Sequence, residues 1–254
     1  MISKNKLKLI RSLESKKHRD ATGLFVAEGP KVVADIMKLH PSNLRMLLAT
    51  PQWLENANVT PGNYETVEAT EAELARASFL CHPQQVMGVF GKMQPQNRVG
   101  SLAERLSLVL DGVQDPGNLG TIIRIADWFG IEDVICSPDT ADVFNPKVVQ
   151  ATMGSIARVN VSYMPLQQLF DIMPQEFPIY GTLLEGSNIY TQELSPTGFI
   201  VMGNEGKGLS APVRHMVNKS LRIPNFPEQR DTADSLNVAI ATAVVCAEFR
   251  RRQG

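Results

Sequence analysis

The chain has 254 residues, of which 43% are hydrophobic and 20% charged, with a formal net charge of −1, the make-up of a globular protein of one large or two small domains. No run of about 18 or more uncharged apolar residues is long enough to span a bilayer, and the opening "MISKNKLKLI" lacks the apolar stretch of a signal peptide, so a cytoplasmic protein without a membrane partner is expected. Cys81, Cys136 and Cys246 form no CxxC pair and the four histidines show no metal-ligand spacing, which argues against zinc or any other metal and suits a reducing compartment.

Charge is uneven along the chain. Residues 1–95 carry 12 basic and 9 acidic side chains, residues 96–254 carry 13 and 17, and residues 1–20 alone carry 7 and 2. The basic end reads as a helix over 4–19, "KNKLKLIRSLESKKHR". It is either an electrostatic footprint for nucleic acid or a solvated helix face, and charge alone leaves both open.

"LFVAEG" is a predicted strand. "PKVVADIMKLH" follows as a helix with Pro30 in its first turn, where a missing N–H costs nothing. "NLRMLLAT" is a second strand, "TEAELARASFL" a helix opened by a Thr70–Glu73 capping box, and "QQVMGVFGK" a further strand. This alternation predicts a small α/β domain over 1–95. The polar "KMQPQNRVG" interrupts the periodicity, and a linker is placed at 96–104.

A second alternating series occupies 105–254. It runs through "LSLVLDGV", a helix from Leu119, the strand "EDVICS", the helix "NPKVVQATMGS", the strand "ARVNVSY" and the helix "PLQQLFDIM". The strands "PIYGTLL" and "GFIVMG", the helix "APVRHMVNK", the strand "SLRIP" and a helix over 235–252 complete it. Apolar strands separated by helices predict a mostly parallel sheet with helices on both faces. The last helix is apolar or small nearly all round, which predicts burial on most sides, in the core or at a subunit interface.

Three stretches carry chemistry. In "DPGNLGTIIRIADWFG", Gly117 and Gly120 suit a tight turn before a helix N-terminus. Arg124, set among isoleucines close to that turn, must reach an anion or solvent. In "VMGNEGKGLS", a glycine-rich loop follows an apolar strand. It fails the Walker A pattern because Gly208 follows Lys207, and Glu205 would repel phosphate; a neutral or cationic small molecule suits it better. In "IPNFPEQRDTADSLNVAIATA", a polar loop leads into the last helix, which Asp234 or Ser235 could cap. No GxSxG elbow and no nearby histidine make Ser235 a nucleophile. Taken singly, each stretch also reads as an ordinary structural turn or cap.

Together and in this order, the three stretches resemble the motifs of the SpoU/TrmH-type RNA 2′-O-ribose methyltransferases of the α/β-knot superfamily. "NLGTIIRIADWFG" carries Asn118, Gly120 and Arg124; "VMGNEGKGL" carries Gly203, Asn204, Glu205 and Gly208; "RIP" with "DSLNVAIATA" carries Ile223, Pro224, Ser235, Leu236 and Asn237. "NPKVVQATMGS" is also similar to the family, and the resemblance covers about residues 105–252. "SKKHRDATGLFVAEGPKVV" resembles, more weakly, the start of the ribosomal-protein-like substrate-binding domain that many members carry. The loop "NFPEQRDTAD" departs from the family in being long and glycine-free.

The resemblance implies an α/β fold whose C-terminal segment forms a deep trefoil knot, which topology rules alone disfavour. It implies a knotted methyltransferase domain over 105–254, an RNA substrate-binding domain over 1–95 and a homodimer. The implied activity is methyl transfer from S-adenosylmethionine to a ribose 2′-hydroxyl of structured RNA, rRNA rather than tRNA, without a metal. Asn118, Arg124, Glu205, Ser235 and Asn237 would then surround the ribose. Thr182, Leu183, Met202, Gly203, Asn204, Gly208, Ile223, Pro224 and Leu236 would form the cofactor pocket. Arg124 is expected to anchor a phosphate and stabilise charge on the 2′-oxygen, because arginine keeps its proton in proteins. The rival readings are an RNA-binding protein that kept the fold without turnover and a nucleotide-dependent enzyme, the second lacking both phosphate fingerprints.

Overall fold

The computed structural model describes residues 2–57, 62–96, 98–227, 230 and 233–253. The chain forms two compact units, one of residues 1–94 with 142–158 and one of residues 95–141 with 159–254.

In the first unit, α1 (Lys4–Ser12) and α2 (Lys16–Thr22) precede β1 (Leu24–Glu28), α3 (Pro30–Leu39), β2 (Leu44–Ala49), α4 (Pro51–Asn56), β3 (Glu65–Glu68), α5 (Glu71–Ala77) and β4 (Val86–Gly91). The strands make one sheet in the order β1-β4-β2-β3. β4 runs antiparallel to both neighbours and β2 parallel to β3. Apolar residues of α1, α5 and the sheet share one core that includes Ile10, Leu13, Val26, Leu48, Leu74 and Val89. The Thr70–Glu73 capping box is formed in both directions.

The basic N-terminal stretch is two helices, not one, because the chain breaks at Leu13–Ser15. Arg19 is 1% exposed. Its guanidinium donates to the carbonyls of Leu13 and Glu14 and, by two nitrogens, to Asp142 Oδ2 at 3.0 and 2.6 Å. Arg19 therefore holds the interhelix turn and is no part of a surface footprint. Lys4, Lys8, Lys16 and Lys17 remain exposed.

The segment 142–158, read from sequence as part of the second domain, clusters with the first unit. Its helix α7, numbered in chain order (Pro146–Ala151), packs on β1. Phe144 stacks against Phe25 with ring centroids 4.9 Å apart.

The second unit contains β5 (Leu106–Asp111), α6 (Pro116–Trp128), β6 (Asp133–Cys136), β7 (Asn160–Tyr163), α8 (Leu166–Asp171), β8 (Ile179–Asn188), β9 (Gly198–Gly203), α9 (Ala211–Met216), β10 (Lys219–Arg222) and α10 (Val238–Arg251). All six strands pair in parallel, in the order β10-β8-β9-β5-β6-β7. β5 is buried along its whole length, as the central strand of a sheet flanked by helices must be. The residues before β5 are not a plain linker. Val99–Glu104 forms a 3-10 turn with Leu102 buried, and Arg98 and Arg105 both pair with Glu132. Asn97 lies outside the described residues.

Three boundaries differ from the sequence reading. α6 starts at Pro116, not Leu119, so Gly117 and Gly120 are helical and the turn is 112–115, where Gly112 takes φ +70°. α10 starts at Val238, not Ser235, with Asn237 as its cap in place of Asp234 or Ser235. β8 runs past Leu184 to Asn188, and its pairing with β10 jumps from Gly181↔Ser220 to Ser187↔Leu221. Residues 182–186 therefore bulge out between two paired stretches. At the end of the bulge a Cβ on Gly186 would lie 2.6 Å from the Leu221 carbonyl oxygen, so this crossing of backbones needs glycine.

Candidate functional site

Parallel strands end on the same side of their sheet, and sites in such sheets form where the strand order reverses. Here the chain steps from β5 outward to β6 and β7, then crosses to β8 and β9 on the other flank of β5. The loops after β5 and β9 and the approach to α10 converge there.

The loop after β9 is a closed hairpin. The backbones of Asn204 and Gly208 exchange both hydrogen bonds, at 3.0 and 2.9 Å. The Asn204 side chain is consumed in shaping it. Its oxygen accepts from the N–H groups of Gly206 and Lys207, and its amide donates to the Gly112 carbonyl at 2.7 Å. Asn204 thus ties this loop to the end of β5. Asp111 adds a second tie, accepting from the Ser210 backbone N–H at 2.6 Å. A Cβ on Gly203 would lie 2.6 Å from both Gly208 O and Leu209 N. Glycine is required there by the loop's own closure.

A cavity of about 420 Å³ opens against this loop, the bulge of β8 and the approach to α10, within the size range of small-molecule sites. Thr182, Leu183, Met202, Gly203, Asn204, Gly208, Ile223 and Leu236 all line it; Pro224 does not, although its neighbour Ile223 does. The Thr182 hydroxyl donates to the Val201 carbonyl at 3.1 Å, so its methyl group is left to the wall. Glu205 and Ser235 also line the cavity. Sequence reasoning missed Leu184, Glu185, Arg214, Leu221, Asp234 and Val238 on the same wall. Glu185 and Arg214 pair with each other at 2.7 Å. Acidic side chains (Glu185, Glu205, Asp234) face basic ones (Lys207, Arg214, Arg222), so the wall does not select an anion. Four residues of the loop 225–234, namely 228, 229, 231 and 232, lie outside the described residues.

Asn118, Arg124 and Asn237 do not line the cavity, but two of them join it through hydrogen bonds. Asp115 caps α6 by accepting from the Asn118 N–H at 2.7 Å. The Asn118 amide nitrogen donates to Glu205 Oε1 at 2.9 Å, and its oxygen accepts from the Asn237 amide nitrogen at 2.9 Å. Asn237 in turn caps α10 with its oxygen, accepting from Ala239 and Ile240 N–H. Arg124 is exposed on α6 and makes no hydrogen bond or ion pair with any described residue. Its guanidinium is therefore open to an external anion. Ser235 is exposed and its hydroxyl takes no part in the amide chain.

The profile of the SpoU rRNA Methylase family matches residues 105–247. The chain belongs to this family. The MRM3-like substrate binding domain matches residues 4–88. Among SpoU relatives, the 23S rRNA (guanosine(2553)-2'-O)-methyltransferase RlmP of Bacillus subtilis is 30% identical over 247 residues, 96% of each chain. A TrmH-family protein from Porphyromonas gingivalis has the same fold, with a TM-score of 0.85 at 41% identity over 99% of each chain. An AdoMet-bound rRNA methyltransferase from Sinorhizobium meliloti gives a TM-score of 0.84 at 31% identity, over 99% of this chain and 97% of that one. Asn118, Arg124, Glu205, Ser235 and Asn237 all fall inside the SpoU match.

Proposed function

We propose that this protein transfers a methyl group from S-adenosylmethionine to a ribose 2′-hydroxyl of ribosomal RNA. The observation that carries the reading is the chain of side chains Asn237–Asn118–Glu205, which draws the three SpoU motifs to the wall of one cavity. The Bacillus subtilis and Sinorhizobium meliloti relatives, which match along nearly the whole chain, are named for rRNA, which favours rRNA over tRNA and, with it, a cytoplasmic place of action.

The cavity fits the cofactor. Leu183, Met202, Leu221, Ile223 and Leu236 offer apolar surface for an adenine ring, and the amides and carbonyls of the 203–209 loop offer hydrogen bonds. Glu205 and Asp234 place carboxylates where a sulfonium is tolerated. When bound, the cofactor supplies an activated methyl group that needs no metal to be released. The protein's part is alignment and exclusion of water. Arg124 anchors the phosphate beside the target ribose and offsets negative charge on its 2′-oxygen. Asn118 and Asn237 fix the position of Glu205. Ser235, on the cavity wall, completes the ribose-facing edge.

The first unit is read as the RNA-binding domain, with Lys4, Lys8, Lys16 and Lys17 as its exposed basic contacts. A homodimer is proposed on the paired helices α6 and α10, where Trp128 is 85% and Ile240 55% exposed. Apolar groups of that size in the open are best explained by a second copy.

The test is to map 2′-O-methylated positions in cellular rRNA with and without the gene, and then to restore the missing mark with purified protein and S-adenosylmethionine. An unchanged rRNA map would refute the reading.

A further inference from the structure

We propose that Glu205 is the group that takes the proton from the ribose hydroxyl; this role rests on the methyl-transfer reading above. A hydroxyl is a poor nucleophile while it keeps its proton, and a positioned base contributes about 10²- to 10⁴-fold. Arginine and lysine side chains already hold their protons at neutral pH, so Arg124 and Lys207 serve charge, not proton removal. No histidine among the described residues lines the cavity wall. Among the described residues, the remaining acceptors at the cavity and beside Asn118 are four carboxylates, and two of them are engaged elsewhere. Glu185 is paired with Arg214 at 2.7 Å. Asp115 is turned to the first turn of α6, where it takes the Asn118 N–H. Asp234 lines the cavity but has no hydrogen bond to Asn118 or Asn237.

Glu205 alone belongs both to the cavity wall and to the amide chain. The direction of that chain is fixed. Backbone N–H groups of Ala239 and Ile240 can only be met by the Asn237 oxygen, so its nitrogen must face Asn118. The Asn118 oxygen is thereby used, and its nitrogen must face Glu205. Oε1 is therefore held as an acceptor, and Oε2 has no partner among the described residues. It is the free lone pair at the meeting of the cofactor cavity and the cluster that holds Asn118.

In the step so assigned, the ribose O–H bond breaks and its proton passes to Glu205 Oε2. The 2′-oxygen forms a bond to the methyl carbon with its own electron pair, while the carbon–sulfur bond breaks and sulfur keeps that pair. The neutral thioether leaves, and Glu205 returns its proton to water before the next turnover.

Glu205→Gln is the discriminating variant, because its amide oxygen still accepts from Asn118 but takes no proton. The experiment measures single-turnover methyl transfer to rRNA at saturating cofactor as a function of pH. Calorimetry confirms saturation, and Asn118→Ala serves as the comparison. The wild-type rate should fall as the pH is lowered below neutral. The glutamine variant should be about 100-fold slower or more and insensitive to pH there, while Asn118→Ala is slowed with the wild-type pH dependence retained. The proposal is overturned if the glutamine variant works within about tenfold of wild type, or is slow but keeps the wild-type pH dependence. A wild type that binds cofactor yet methylates no ribose would overturn the function itself, and this role with it.

Discussion

The amide of Asn118 donates to the carboxylate of Glu205 at 2.9 Å across 87 residues of sequence, and Asn237 donates to Asn118 at the same distance across 119. Exposed bonds of this kind add little stability, about 0.5–1.5 kcal/mol each. Their value is positional: the first turn of α6, the loop after β9 and the cap of α10 are set to one geometry.

Asn237 has two separable duties, capping α10 and orienting Asn118. Asn237→Asp keeps a good cap but has no donor for the Asn118 oxygen. Its melting temperature should stay near wild type while single-turnover transfer falls about 10- to 100-fold, the effect of a small misplacement. Asn237→Ala should lose the cap as well, about 1 kcal/mol. A fully active aspartate variant would show that the amide chain is not part of the machinery.

Arg124 is exposed and unpartnered, so removing it should cost no more than about 0.5 kcal/mol of stability. Arg124→Ala should leave cofactor affinity unchanged in calorimetry and slow methyl transfer by about 100-fold or more. Arg124→Lys should recover only part, since lysine cannot grip two oxygens with a planar fork. Wild-type transfer by the alanine variant would remove Arg124 from the site.

Gly203→Ala should behave in the opposite way. The added carbon meets the Gly208 and Leu209 backbone, so the hairpin must open and the cavity wall with it. Cofactor binding should be lost first, together with some thermal stability. A variant that binds cofactor normally would mean the loop relaxes without cost.

How far the site could be read from sequence follows from its geometry. The loops after β5 and β9 and the start of α10 meet because parallel neighbours end on one side, but read singly the three stretches were ordinary turns and caps, and only their joint resemblance to the SpoU/TrmH motifs grouped Asn118, Glu205 and Asn237. The β8 bulge was not legible: "GTLLEGSN" is compatible with a continuous strand, and only its register against β10 expels residues 182–186. Glu185 went unseen for that reason. Arg19 read as surface charge because its partner, Asp142, lies 123 residues away. The turn before α6 was assigned to Gly117 and Gly120, although Gly112 carries the positive φ. α4 and β3 were missed because both are short and only partly buried.

Glu248 gives a pH prediction. It is 5% exposed, and hydrogen bonds from Arg251 first, then Arg252, hold its carboxyl down at about 2, against an ordinary 4.5. The unfolded chain therefore takes up this proton first as pH falls. The stabilisation is complete above about 4.5 and lost on the way down to about 2. Glu248→Gln should melt lower than wild type at pH 6, and the two curves should converge near pH 2. A gap that stays constant with pH would contradict the assignment.

The Arg19–Asp142 pair is buried, with side chains 2% and 12% exposed. Asp142→Ala leaves a buried guanidinium without its counter-charge and should cost about 3–5 kcal/mol. Arg19→Met with Asp142→Leu should recover much of that in urea unfolding. A loss below about 1 kcal/mol for the single variant would show that water reaches Arg19.

The first unit borrows residues 142–158 for its own packing, with Phe144 against Phe25 and α7 against β1. That loan sets a timetable for the nascent chain. The core shared by α1, α5 and the sheet is complete when residue 94 leaves the ribosome, but the cover that α7 and Phe144 lay over β1 must wait for about sixty more residues, by which time β5, α6 and β6 have already been made. A gene fragment cut at residue 95 would leave Val148 and Val149 without the surface they cover, and the other fragment would lack its last wall. The two halves of this enzyme are thus distinct in structure but not independent in synthesis, and neither should be expected to fold cleanly from a simple truncation.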